Sequence, residues 1–196
     1  MRNIVIIFAI CILSVISCKA QNTISLEQAA VYPEQPDGRM LPPNTTYLKD
    51  INNSLNKYVG MWKGNFNGKT YEFKFIKQIN YGSPDGNIRR DRLIGRIRIK
   101  DSNGTIIFNN FNEPNDNETF FFGTNFQPNL EAYMVYFVGR SECVEYGNVY
   151  LRMLPSTPNQ MTVFFHPDND INVEGSCPTD FQPTIPYQKT IYLTKQ

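Results

Sequence analysis

The sequence of 196 residues contains one histidine, one tryptophan and only five alanines. The scarcity of alanine, the best helix former, argues against a helical bundle and against a doubly wound α/β enzyme. A single histidine leaves few groups for acid–base or metal chemistry, so we expect no enzymatic activity, no cofactor and no metal site. The formal net charge of +1 gives no bulk attraction to nucleic acid. The 22 asparagines, 14 phenylalanines and 11 tyrosines instead favour turns and strands, which predicts an all-β protein.

The first 17 residues have the composition of a secretory signal peptide. Arg2 gives a basic start, and residues 4–16 form an apolar run that is too short to span a bilayer comfortably. The letters V-I-S-C at residues 15–18 resemble the lipobox of bacterial lipoproteins. That resemblance implies that the sulfur of Cys18 receives diacylglycerol, that Cys18 becomes the N-terminus, and that the acyl chains anchor the protein stably.

The residues after Cys18 predict where the mature protein lives. The residue after Cys18 is Lys19 and not the acidic residue that signals retention in the inner membrane, so we expect an outer-membrane lipoprotein that faces the periplasm. The alternative is ordinary cleavage after Ala20, which would release a soluble secreted protein that begins at Gln21.

Cys143 and Cys177 are the only cysteines that remain outside the N-terminal region. A pair of cysteines in an oxidising compartment predicts a disulfide. The rival interpretation is a two-cysteine metal site, for which His166 would be the only imidazole.

The chain divides into a signal peptide at residues 1–17, a lipidated tether at residues 18–46 and a β-barrel domain at residues 47–196. The tether contains four prolines and no sustained periodicity, which predicts an extended linker. A short helix is expected over residues 49–58, because apolar residues recur there at spacings of three and four.

From residue 61 onward, apolar and polar residues alternate in about nine segments joined by short turns. Connections this short allow antiparallel pairing but not parallel crossovers. Strands without helices must cover one another as a closed barrel or a sandwich, and meander-like connections favour the barrel. The sequence therefore predicts an antiparallel up-and-down β-barrel of about 8–10 strands.

The first strand opens with Gly60-Met61-Trp62, which resembles the Gly-x-Trp signature of lipocalin-like barrels. In those barrels the glycine lets the chain turn into the strand, and the tryptophan plugs the closed end. An arginine from a late strand commonly packs over that tryptophan as a cation–π contact. The resemblance implies this role for Arg152, with Arg140 as the alternative.

The chain also resembles uncharacterised bacterial lipoproteins that carry a domain of unknown function. The matching pieces are S-C-K-A-Q at residues 17–21, Y-L-K-D-I-N at residues 47–52 running into Gly60–Trp62, and L-T-K-Q at residues 193–196. The resemblance implies a cell-envelope lipoprotein and brings no known activity.

Seven aromatic residues are predicted to face the interior of the barrel on alternating strand positions. They are Tyr71, Phe73, Phe75, Phe120, Phe122, Tyr133 and Phe137. They would either fill the core or line a cavity for one small apolar ligand, and the function we expect is binding of such a ligand or of an envelope partner protein. Two further functions stay open. One is an envelope protein without a cavity that presents the loops at residues 112–117 and 167–186; the other is a carbohydrate-binding sandwich with exposed coplanar rings.

Three other clusters carry weaker functional interpretations. Six basic residues lie between residues 89 and 100, and we expect them to form a solvated outer face; binding of phosphate groups is the alternative. Acidic and amide residues at every second position from Asp168 to Glu174 suggest calcium, but the glycine and carboxylate of an EF-hand loop are missing. Scattered carboxylates (Glu72, Glu131, Glu142 and Glu145) would act as a glycosidase pair only if the fold placed two of them close together.

Overall fold

The computed structural model describes residues 22–33, 40–82, 88–115, 120–169 and 177–196. The strands in these residues are β1 (Asn22–Ser25), β2 (Thr45–Lys49), β3 (Gly60–Phe66), β4 (Lys69–Tyr81), β5 (Arg89–Lys100), β6 (Ile106–Asn109), β7 (Phe121–Phe126), β8 (Tyr133–Val138), β9 (Tyr146–Leu154), β10 (Thr157–Pro167) and β11 (Thr190–Lys195). One α-helix, α1, spans Leu26–Val31. The predictions made for Cys18, Asp170, Asn172 and Glu174 lie outside the described residues.

Eight of the strands close into a barrel. The order around the barrel is β3, β4, β5, β7, β8, β9, β10, β11 and back to β3, and each neighbouring pair is antiparallel. Strands β1 and β2 extend the sheet in parallel from β5, and β6 forms a hairpin with β5. The prediction of an all-β antiparallel barrel is therefore confirmed.

The barrel has two different ends. The closed end contains the start of β3, the end of β11 and the β4–β5, β7–β8 and β9–β10 connections. Trp62 is fully buried there, and its indole N–H donates to the carbonyl of Tyr58 at 2.7 Å. The open end contains the β3–β4, β5–β6 and β8–β9 connections and the chain that leads into β11.

The prediction of a helix at residues 49–58 is wrong, because this segment forms consecutive turns. Amide-to-carbonyl bonds there connect residues three apart, as from Asn56 to Asn53 and from Tyr58 to Leu55. Asn53 adopts a left-handed φ of 56°, and the carboxylate of Asp50 accepts from the amide of Leu55. A left-handed residue ends the helical path, and the Asp50 side chain takes an amide that a helix would use.

The helix lies earlier, in the segment predicted as a tether. Ser25 caps α1 by accepting from the amide of Gln28, whose side chain accepts from the amide of Ser25 in return. Leu26 is buried against the barrel, and β1 pairs with β2. The Ser-x-x-Gln sequence is a capping box, and it was the signal for this helix.

Two buried carboxylates attach the chain before β3 to the closed end. Asp91 of β5 accepts from the hydroxyl of Tyr47 at 2.5 Å and from the amides of Asp50 and Asn80 at 2.9 Å. Asp50 forms an ion pair with Lys77 at 2.6 Å. Burial and the neighbouring Asp91 raise the pKa of Tyr47 to about 12, because both oppose the negative phenolate.

Candidate functional site

A cleft of about 520 Å³ opens at the open end of the barrel. Its origin is the edge of β5, which three strands share in succession: β2 at Arg89, β7 at Ile94 and β6 from Arg98 onward. Because β6 takes the far end of that edge, β7 and β8 separate from β5 there. The separation leaves the cleft between the β5–β6 hairpin and β7–β8.

The backbone of β5 beside the cleft stays satisfied by side chains. The amide of Ile97 donates to the side-chain oxygen of Asn110 at 2.6 Å. The guanidinium of Arg96 donates to the carbonyl of the preceding residue, Gly95, and to the carbonyls of Glu113 and Pro114. Arg96 is only 2 % exposed, so the chain after β6 is fixed as one wall of the cleft.

The floor of the cleft is apolar. It includes Phe121, Phe137, Ile99 and Phe108. The Phe121 ring lies edge-on to Phe137 at 5.3 Å between centroids. A Cβ atom at Gly95 would come within 2.5 Å of the Phe121 ring, so only glycine lets this ring lie flat over β5.

Below this floor the barrel is filled with side chains. Phe73 and Phe75 stack at 6.1 Å, and Phe121 meets both edge-on. Phe165 continues the aromatic contacts from Phe137 at 5.7 Å. All of these rings are at most 2 % exposed. The interior aromatics therefore form a packed core in the deep part of the barrel. The open cleft lies above them, at the mouth.

Residues 177–189, which we call the cap segment, form the opposite wall. The disulfide between Cys143 and Cys177 attaches its start to the β8–β9 connection, as the sequence predicted, with a Cα–Cα distance of 4.8 Å. Farther along, Ile185 is fully buried and the Tyr187 ring lies 5.5 Å from Phe165. Burial and nearby Glu145 raise the pKa of Tyr187 to about 12.

Glu145 connects the cap segment to the barrel. Its carboxylate is inaccessible to solvent and accepts from the amide and the hydroxyl of Thr184. The same carboxylate accepts from the amide of Arg140 at 3.0 Å. The sequence suggests Glu145 only as half of a possible glycosidase pair, because no spacing indicates that Thr184 lies beside it.

The rim of the cleft is amphipathic. Phe120 and Ile107 are 61 % and 50 % exposed beside the opening. Lys69 and Asp180 also line it, and the guanidinium of Arg140 lies 6.0 Å from the ring of Phe181. An apolar floor with charged groups at its edge suits a small molecule that has an apolar body and a polar group.

The predicted interior aromatics are placed as follows. Tyr71, Phe73, Phe75, Tyr133 and Phe137 are buried inside the barrel. Phe120 and Phe122 are not: Phe120 is on the rim, and Phe122 packs outside against Tyr136 at 6.1 Å. The pairing of β7 with β8 shifts register between Gly123 and Asn125. Because of this shift, the residues before Gly123 do not continue the inward and outward alternation set by buried Phe126, and Phe121 points inward instead of Phe120 and Phe122.

The cation over Trp62 is not the predicted arginine. Arg152 is 51 % exposed on the outer face and pairs with Glu131 at 3.3 Å, while Arg140 lies at the opposite end. The Nζ atom of Lys195 lies 5.3 Å from the Trp62 ring centroid. Lys195 shares the inward parity of Ile191 and Leu193 on β11, whereas Arg152 alternates with inward Leu151 on β9.

Gly60, the first residue of the same motif, has a left-handed φ of +125°. A Cβ atom at this position would lie 3.1 Å from the Cε atom of Lys195. The glycine therefore gives the turn into β3 and leaves room for the lysine stem.

The basic strand is not the solvated outer face that its sequence predicts, because Arg92 and Arg96 are buried. Arg92 is 4 % exposed, lies over the Tyr81 ring at 3.2 Å and donates to Gln78. Arg98 and Lys100 both pair with Glu72. Burial opposes ionisation of Glu72, but the hydrogen bonds and charges of these two cations outweigh it and hold its pKa below the ordinary value.

His166, the single imidazole of the chain, is not among the residues that line the cleft. His166 lies on the outer face of β10 in a shallow groove with Tyr150 and Phe164. Within the described ranges, no cluster of three or more metal-ligating side chains is formed. The outer rings of Tyr150 and Phe164 are tilted by 54°, so this pair is not the coplanar platform expected of a carbohydrate-binding face.

Comparison with known proteins gives a family but no activity. In the part of the chain that the structure describes, no helix is long and apolar enough to cross a membrane. No curated protein and no solved structure matches the chain. The sequence profile of a family of unknown function, DUF6705, matches residues 1–166, which is most of the chain. The protein therefore belongs to the DUF6705 family.

Proposed function

We propose that this protein is an exported, lipid-anchored binding protein whose open-end cleft takes a small amphipathic molecule. The observation that carries the proposal is the cleft itself: an apolar floor on the packed core, beneath a rim with charged side chains. Rigid elements surround it, because Arg96 fixes one wall while Glu145 and the disulfide fix the other. A preformed cleft with an apolar floor and polar groups at fixed positions is the arrangement found at small-molecule sites.

The filled interior limits the size of the ligand. Packed aromatic rings lie beneath the floor of the cleft, so the ligand contacts the mouth with one apolar face or ring rather than inserting a long acyl chain there. Lys69 and Arg140 would meet an anionic group, while Asp180 would meet a cationic one. An enzyme is not part of the proposal.

Binding can be tested with 8-anilinonaphthalene-1-sulfonate, an apolar aromatic anion, by its fluorescence increase and by calorimetry. Phe120→Ala removes an exposed rim ring, and we expect affinity to fall about tenfold, as for the loss of one buried aromatic contact. Tyr192→Ala is the matched control, because Tyr192 is 66 % exposed on the outer face of β11. No binding by the native protein, or equal losses in both variants, would favour an envelope interaction protein without a ligand.

Lipid anchoring is tested separately. The mass of the mature N-terminal peptide should correspond to diacylglyceryl-modified Cys18. An unmodified peptide that begins at Gln21 would refute the anchor and leave the cleft proposal standing.

A further inference from the structure

The path of the chain before the barrel places its N-terminal side at the closed end. β2 runs parallel to β5, with Tyr47 beside Arg89, and β1 runs parallel to β2, with Asn22 beside Thr45. Asn22 therefore lies beyond the start of β5, farther from the open end than any residue of that strand. The cleft is at the opposite end of the barrel.

Cys18 precedes Asn22 by only four residues. Four residues of fully extended chain span at most about 14 Å. If Cys18 is acylated, as in the function proposed above, the folded domain is held close to the bilayer rather than on a long tether. The end that carries Asn22 is then the end nearest the lipid.

The closed end has the surface chemistry of a bilayer contact. Lys49 and Lys57 are exposed there, and Arg89 is the register partner of Tyr47 on β2. The nearby carboxylates of Asp50 and Asp91 are buried and engaged by the fold, so they present little negative charge to solvent. Cations near an anionic leaflet are attracted over about a Debye length.

Two large apolar side chains project from the same end. Ile79 is 69 % exposed beside the irregular end of β4, and Ile51 is 52 % exposed in the turns before β3. Apolar residues among cations are typical of surfaces that insert into the headgroup region. The open end differs, since three exposed acidic residues surround it (Glu113, Glu142 and Asp180), whereas the exposed Glu131 at the closed end is paired with Arg152.

From this asymmetry we infer that the closed end of the barrel docks on an anionic lipid surface, so that the cleft opens away from the membrane. The docking face consists of Lys49, Ile51, Lys57, Ile79 and Arg89. The inference rests on the proposed acylation of Cys18 for its geometry and on the described side chains for its chemistry.

The orientation can be measured on the mature lipidated protein in vesicles that contain phosphatidylglycerol. Ile79→Cys and Ile107→Cys, both at exposed positions, are each labelled with a nitrobenzoxadiazole thiol probe. The native Cys143 and Cys177 are joined and do not react. We expect the probe at residue 79 to brighten and to be quenched by spin-labelled lipid, while the probe at residue 107 stays in water. Equal signals, or a signal at residue 107 alone, would overturn the inference.

Charge reversal tests the lipid chemistry. Lys49→Glu with Lys57→Glu should lower the docked-to-undocked ratio about fivefold per unit of charge removed, and phosphatidylcholine vesicles should do the same for the native protein. Lys63→Glu on β3 with Lys189→Glu at the end of the cap segment changes the same charge away from the docking face and should have little effect. Equal effects of both pairs would overturn the inference. The N-terminal mass separates this outcome from a failure of the anchor.

Discussion

The solvent-inaccessible carboxylate of Glu145 accepts hydrogen bonds from both the backbone amide and the side-chain hydroxyl of Thr184. These two residues are 39 positions apart. Their contact joins the β8–β9 connection to the cap segment and so defines one wall of the cleft. The stability of this wall therefore depends on one buried acceptor in addition to the disulfide.

Glu145→Ala should destabilise the protein by about 2–3 kcal/mol, because three donors then lose a buried acceptor. Glu145→Gln keeps one acceptor oxygen and should cost less. Thermal unfolding followed by circular dichroism measures both changes. The control is Glu131→Gln, whose 57 %-exposed side chain pairs with Arg152 and should change stability by less than about 1 kcal/mol. An effect of Glu145→Ala no larger than that of the control would contradict the role assigned to Glu145.

Lys195→Met should cost about 1 kcal/mol, because the cation over the Trp62 ring is lost while the apolar stem is kept. Arg152→Met should cost less, since Arg152 makes only an exposed ion pair. Urea unfolding followed by Trp62 fluorescence compares them. A larger cost for Arg152→Met would restore the arginine that the lipocalin resemblance implied.

Replacing both disulfide cysteines, Cys143→Ser with Cys177→Ser, should remove about 3–4 kcal/mol, as the chain-entropy relation gives for a 34-residue loop. Calorimetric unfolding measures the loss. Since the bond fixes the start of the cap segment, affinity for the naphthalenesulfonate probe should fall as well. Unchanged affinity at temperatures well below unfolding would show that Glu145 alone holds this wall.

Alkaline pH should loosen the closed end. The folded-state pKa of Tyr47 is raised to about 12, above its ordinary value of 10. The protonated hydroxyl therefore contributes stability that is fully present below pH 10 and is lost as pH rises towards 12. Absorbance at 295 nm follows tyrosine ionisation, and Tyr47→Phe should weaken the pH dependence of the melting temperature between pH 10 and 12. An identical dependence in both proteins would assign the alkaline loss to other groups.

Sequence patterns predicted the barrel because alternation and short connections constrain strand pairing directly. They failed at Phe120 and Phe122 because a register shift at one position reverses the facing of every residue before it. They failed at Trp62 because the strand order around the barrel is needed to see that Lys195 of β11 is the register partner of Trp62, while Arg152 faces outward on β9. Glu145 and Thr184 could not be paired at all, since a contact between distant connections leaves no periodic trace.

Different parts of the β5 edge pair with β7, which closes the barrel, and with β6, which leads into the chain that shapes the cleft. Among the described residues, β5 meets β7 at the single register pair of Ile94 and Phe122. The β6 strand pairs with the far end of β5, and the chain after β6 is held to β5 by side-chain hydrogen bonds of Asn110 and Arg96. Insertions or deletions between Lys100 and Phe121 can therefore change what the cleft admits while leaving all eight barrel strands in register.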